Sequence, residues 1–90
     1  GFYLMAVTTI DDSIAERMGA ALKTANRFAI AAGVEPEGSR VTLSRRVSEE
    51  GVSVWRINYG LPSPTIMRGG DFIVEVRVED GSFYRILQGQ

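Results

Sequence analysis

The spacing of apolar residues changes once along this chain, and the change fixes the fold class. Between residues 13 and 32 apolar side chains return every three or four positions, at Ile14, Met18, Ala21, Leu22, Ala25, Phe28, Ala29 and Ala32. That period predicts one amphipathic helix, with Glu16, Lys23, Thr24, Asn26 and Arg27 left for the opposite side. Beyond Gly38 the period falls to two, the signature of strands. Val41, Leu43 and Val47 alternate with Thr42, Ser44 and Arg46. After a turn at Glu49-Glu50-Gly51 a second strand runs from Val52 to Tyr59. Phe72, Val74, Val76 and Val78 give the cleanest alternation, and Phe83 to Leu87 returns after Asp80-Gly81. A helix followed by an antiparallel meander predicts a single α+β domain over residues 1–90, the helix lying across one face of a four-stranded sheet. Residues 1–10 are either an extension or an extra strand.

Local signals bound the helix. Ser13-Ile14-Ala15-Glu16 reads as a capping box, with Asp11 and Asp12 near the positive helix end. Gly33 is placed to stop the helix in a left-handed conformation, and Pro36 cannot continue it. Gly19, inside the helix, costs about 1 kcal/mol against Ala; close packing on the sheet is the expected reason for it.

The second strand changes parity. Val52 and Val54 sit on even positions, whereas Trp55, Ile57 and Tyr59 sit on odd ones. Either a bulge lies near Val54 or one face covers more of the strand than the other. For the last hairpin, a three-residue loop at Glu79-Asp80-Gly81 keeps one face apolar. It pairs Val78 with Ser82, Val76 with Tyr84 and Val74 with Ile86, and sets Glu75 opposite Arg85 and Arg77 opposite Phe83. The outer face would then carry Ile73, Phe83 and Leu87 together with Arg46, Arg56, Arg77 and Arg85. Such a face suits a protein interface, including a homodimer.

Composition excludes much chemistry. The sequence has no cysteine and no histidine, which removes disulfides, thiolate catalysis and the commonest general base and metal ligand. Its carboxylate pairs, Asp11-Asp12, Glu49-Glu50 and Glu79-Asp80, are sequence neighbours at element ends, where acidic residues cap and turn. Lys23 falls on the polar side of the helix. No catalytic residue, metal ligand or cofactor is expected. Ten basic residues against eleven acidic ones leave a net charge of −1, so no global field gathers nucleic acid. The apolar run Phe2-Tyr3-Leu4-Met5-Ala6-Val7 is too short to span a bilayer and has no basic segment before it. The expected compartment is the cytoplasm with Met5 as the native start, or the periplasm if an export signal has been trimmed.

The connection from Gly60 to Gly70 is long for a hairpin. Pro62 and Pro64 stiffen its start, which lowers the entropy cost of binding, and Leu61, Ile66, Met67 and Arg68 supply apolar and cationic contacts. With Ile73, Arg77, Phe83 and Arg85 of the outer face, these are the expected partner-binding residues.

Over about residues 55–90 the order Trp55, Gly60-Leu61-Pro62, Gly69-Gly70, alternating strand, Asp80-Gly81, last strand resembles the C-terminal half of small NTF2-like immunity proteins of bacterial toxin systems. The looser order of helix, strand, Trp-containing strand and Asp-Gly hairpin is similar to PepSY-like domains of cystatin-like layout. The first resemblance implies a module that binds and inhibits a toxin. The second implies a regulator of a peptidase at the bacterial envelope. Both imply a non-enzymatic protein-binding domain, against which stands an NTF2-like small-molecule binder.

Overall fold

In a computed structural model, which describes residues 12–60 and 71–88, the apolar stripe forms helix α1, Asp12–Ala31. Its end follows from Gly33. With φ of +89°, this residue closes a Schellman motif in which the Val34 N–H donates to the Ala29 carbonyl at 2.8 Å and the Gly33 N–H to the Ile30 carbonyl at 3.0 Å. Val34 then turns back to pack on the core. The start differs from expectation. Ser13 is already helical and exposed, so it cannot be the N-cap, and the capping box with Glu16 does not form. Gly19 is corrected too: a Cβ built there meets nothing within 4 Å among the described residues. It is not held by close packing on the sheet.

A short 3-10 turn, Pro36–Gly38, leads into the sheet. Strands β1 (Arg40–Val47), β2 (Ser53–Gly60), β3 (Phe72–Arg77) and β4 (Phe83–Gln88) are antiparallel and lie side by side in chain order. Together with α1 they make the α+β fold predicted from the change of period. The β1–β2 turn is built on Ser48, whose hydroxyl accepts from the Glu50 and Val52 amides at 3.2 and 3.1 Å, with Gly51 at φ +83°. Residues 61–70, which include Leu61, Pro62, Pro64, Ile66, Met67 and Arg68, lie outside the described residues.

One sheet face meets the helix. Ala21, Ala25 and Ala29 are buried against Trp55, Ile57, Tyr59, Phe72, Val74, Val76 and Val78. Three alanines at the contact let the helix axis approach the sheet closely, while Ile14, Met18, Leu22 and Phe28 pack along its flanks. Ala32, counted into the stripe from sequence, is exposed beyond the last helical turn.

The parity change in β2 resolves without a bulge. The β1–β2 and β2–β3 registers run unbroken, and Val54 is paired with Arg46 and Arg77. It is nonetheless completely buried, on the face away from the helix. The bulge lies instead in β4. Ile73↔Leu87, Val74↔Ile86 and Glu75↔Arg85 pair as expected, but Val76 pairs with Phe83, and the register shifts between Glu75 and Val76. The loop is one residue longer than expected: the Arg77 N–H donates to the Ser82 carbonyl at 2.8 Å and the Gly81 N–H to the Arg77 carbonyl at 2.9 Å. Tyr84 is the extra residue. Phe83 consequently turns to the helix side, where its ring stacks on Phe28 with centroids 4.2 Å apart.

Candidate functional site

The two faces of the sheet are finished differently, and the difference locates the open surface. On the face away from the helix, Glu75 is almost wholly buried. Its register neighbours on both sides are arginines, Arg56 on β2 and Arg85 on β4. Arg56 Nε donates to Glu75 Oε2 at 2.8 Å and Arg85 Nε to Oε1 at 2.7 Å. The carboxylate in turn holds Arg85 more firmly protonated than a free guanidinium. Beside this triad Tyr84 lies across the end of the sheet. Arg77 and Arg85 stand over its ring at 5.0 and 5.3 Å, and its hydroxyl reaches Ser48 and Glu50 of the β1–β2 turn. The Tyr84 hydroxyl is the chief reason that the Glu50 carboxyl lies below its ordinary range. Arg77 also donates to Ser82 Oγ at 3.1 Å and to the Phe83 carbonyl at 2.8 Å.

The outer face is therefore internally occupied. The arginine grouping expected there is present, but Arg56, Arg77 and Arg85 each hold a group of this same chain. Phe83 is not among them: it faces the helix and is removed from the outer apolar set, so Arg77 does not oppose it. Ile73 and Leu87 remain there as a half-buried pair.

On the helix side the cover is uneven. Phe28 leans toward β4, and Asn26, about 160° round the helix from it by the 100° step of an α-helix, accepts a 2.6 Å hydrogen bond from the Tyr59 hydroxyl. Tyr59 is buried, which pushes its hydroxyl up to about 12. Tyr59 pairs with Val41 of β1, and there the helix stops covering the sheet. Val41 is 40% exposed and Val47 69%, with Leu43 half-buried between them. Arg45, on the same side, sets its guanidinium 5.8 Å from the centre of the Trp55 ring. On the same flank of α1 as Asn26, Ile30 is 62% exposed. An open hollow of about 600 Å³ lies there, lined among the described residues by Asn26, Ile30 and the Gly33–Glu37 segment.

The open flank thus consists of β1 and the hollow beside the C-terminal half of α1. Sequence reasoning read β1 as an ordinary half-buried strand and missed it as a surface. The one available signal was its three arginines, Arg40, Arg45 and Arg46, with no acidic residue in the strand.

Comparison with known proteins finds no family model, no curated protein and no solved structure that matches this chain. No helix of the described residues is long and apolar enough to cross a membrane.

Proposed function

We propose that this chain is a non-enzymatic protein-binding module that inhibits a partner protein in the manner of an immunity protein. The observation that carries the reading is the uncovered helix-side face of β1, where Val41 and Val47 stand in solvent next to the buried core. A neighbouring polypeptide that covered this strand would remove apolar surface from water without rearranging the fold. The residue inventory agrees, since neither histidine nor cysteine is available to a catalytic centre. The resemblance of residues 55–90 to immunity proteins supplies the inhibitory role. A peptidase regulator of PepSY-like type would use the same surface on a different partner.

A small-molecule binder of NTF2-like type has one observation in its favour, the hollow beside Ile30 and Glu35. Against it, the space between α1 and the sheet is filled by the alanine seam and the side chains of β2 and β3.

The test is co-expression of the full chain with the protein encoded by the adjacent gene. The expected result is a stable complex and relief of that protein's toxic or proteolytic activity. Absence of any complex, together with saturable chemical-shift changes at Asn26, Ile30 and Val34 on titrating small organic acids, would overturn the reading in favour of the small-molecule binder.

A further inference from the structure

We propose that β1 is a docking edge that takes an extended acidic segment of a partner protein as a fifth strand of the sheet. The inference rests on the protein-binding reading above and specifies the surface and the chemistry of the partner.

The geometry of the edge comes from the hydrogen bonds around it. The Ser48 N–H donates to the Val52 carbonyl at 2.8 Å, whereas the Ser53 carbonyl accepts from Val78, on the β3 side, at 3.0 Å. Pairs in an antiparallel ladder alternate between bonded and non-bonded. With the β1–β2 register, Arg40, Thr42, Ser44 and Arg46 therefore bond to β2. Val41, Leu43, Arg45 and Val47 turn their N–H and C=O groups outward. Among the described residues nothing pairs with them, because β1 is an outer strand of the sheet.

The two outer strands are not equivalent. β4 is six residues long and bulged at Tyr84, and a bulge spoils an edge for further pairing. β1 is eight residues long with an unbroken register, and it contains neither Pro nor Gly. The one feature that guards it is charge. Arg40, Arg45 and Arg46 are all exposed. Both ion pairs of the described residues are made by Glu75 with other arginines, so these three have no carboxylate there. Three like charges on one strand oppose pairing with a second copy of β1 and favour an acidic strand. In strand addition, main-chain bonds supply affinity and alternate side chains supply specificity. The fitting segment alternates apolar residues, lying beside Val41, Leu43 and Val47, with acidic residues facing Arg40 and Arg46.

The probes are two short synthetic peptides, alternating Val-Glu and alternating Val-Lys, titrated into the isotope-labelled full chain. The Val-Glu peptide is expected to shift the Val41–Val47 resonances and to slow amide exchange at Val41, Leu43, Arg45 and Val47. It should bind at least tenfold tighter than the Val-Lys peptide and weaken as salt is added. Val41→Pro removes one outward amide and no β1–β2 bond, and it leaves the charge unchanged. It should weaken binding at least tenfold. The double substitution Arg40→Glu with Arg46→Glu should reverse the preference between the peptides. Equal binding of the two peptides, or no change at the β1 amides, overturns the proposal. If Val41→Pro fails to fold, the exchange measurement on the unaltered chain decides. In a complex with the adjacent gene's product, inhibition untouched by both variants would remove the strand-addition model and leave the protein-binding reading standing. Peptide binding at β1 with no such complex would leave the docking edge standing and remove only the adjacent gene's product as its partner.

Discussion

A buried tyrosine and an unexplained glycine show how much one position can say. Tyr59 combines burial with a hydrogen bond to Asn26, and loss of its proton would place a charge beside the core. Its hydroxyl rises from an ordinary 10.0 to about 12 in the folded chain. A group whose folded value lies above its unfolded one stabilises fully below the unfolded value, and that contribution is lost as pH rises through the folded one. Tyr59 therefore supports the fold undiminished up to about pH 10 and loses its contribution between about 10 and 12. Tyr59→Phe should cost about 1 kcal/mol near neutrality through the lost hydrogen bond. Its urea midpoint should then fall less than that of the unaltered chain between pH 9 and pH 11, and parallel falls would show that the Tyr59 hydroxyl titrates alike in the folded and unfolded chain. Gly19 offers the opposite case, a helical glycine with no described residue within 4 Å of where its Cβ would be. Gly19→Ala should stabilise the chain by about 1 kcal/mol. A loss of stability would mean that the position is crowded after all.

Among the elements, the sheet faces divide what was readable in the sequence from what was not. The α1 stripe and the alternation in β2 and β3 were legible because each burial pattern repeats the geometry of its own element. The β3–β4 register was legible only away from its loop. Counting residues through a hairpin assumes that none is left over, and the adjacent aromatics Phe83 and Tyr84 suit either face. What fixes their orientation is the Phe28 ring, 55 residues earlier, and the Ser48–Glu50 turn at the far side of the sheet. Glu75 was hidden for a similar reason. One carboxylate in an alternating strand looks solvated until three strands align Arg56, Glu75 and Arg85 in a row. Of the expected site, Leu61 to Arg68 lies outside the described residues, Arg77 and Arg85 are internally engaged, and Phe83 belongs to the core side. The triad also sets an asymmetry. Its guanidiniums keep 25% and 37% of their side-chain surface in water, but the Glu75 side chain keeps 1%. Removing Glu75 leaves two cations that water can still reach. Removing both arginines strands a buried anion, at a cost of about 3–5 kcal/mol. Arg56→Ala with Arg85→Ala should thus destabilise more than Glu75→Gln by chemical denaturation. The reverse order would show that the carboxylate gains little from its partners.

For the whole molecule, the placement of the helix makes stability uneven across the sheet. The alanine seam of α1 lies over β2 and β3, and the Phe28–Phe83 stack ties the helix to β4. β2 and β3 are held by core contacts on one face, β4 by that ring stack, and all three by the Glu75 triad on the other. β1 is held by its ladder to β2 and by the partial burial of Leu43, with Val41 and Val47 exposed. Local opening free energies follow such differences, and weakly packed edge elements open first. The amides that β1 bonds to β2, at Thr42, Ser44 and Arg46, should therefore exchange at least tenfold faster than those of Val74 and Val76, after correction for intrinsic rates. Tenfold corresponds to an opening about 1.4 kcal/mol cheaper. The measurement is hydrogen exchange on the full chain at pH 7, where the folded state of Tyr59 is unstressed. Equal protection of β1 and β3 would mean that the whole sheet opens as one unit and that β1 already has a cover. An easily opened β1 in the free chain would instead become slow to exchange once a partner strand is added. The same amides thus report first on the fold and then on its binding edge.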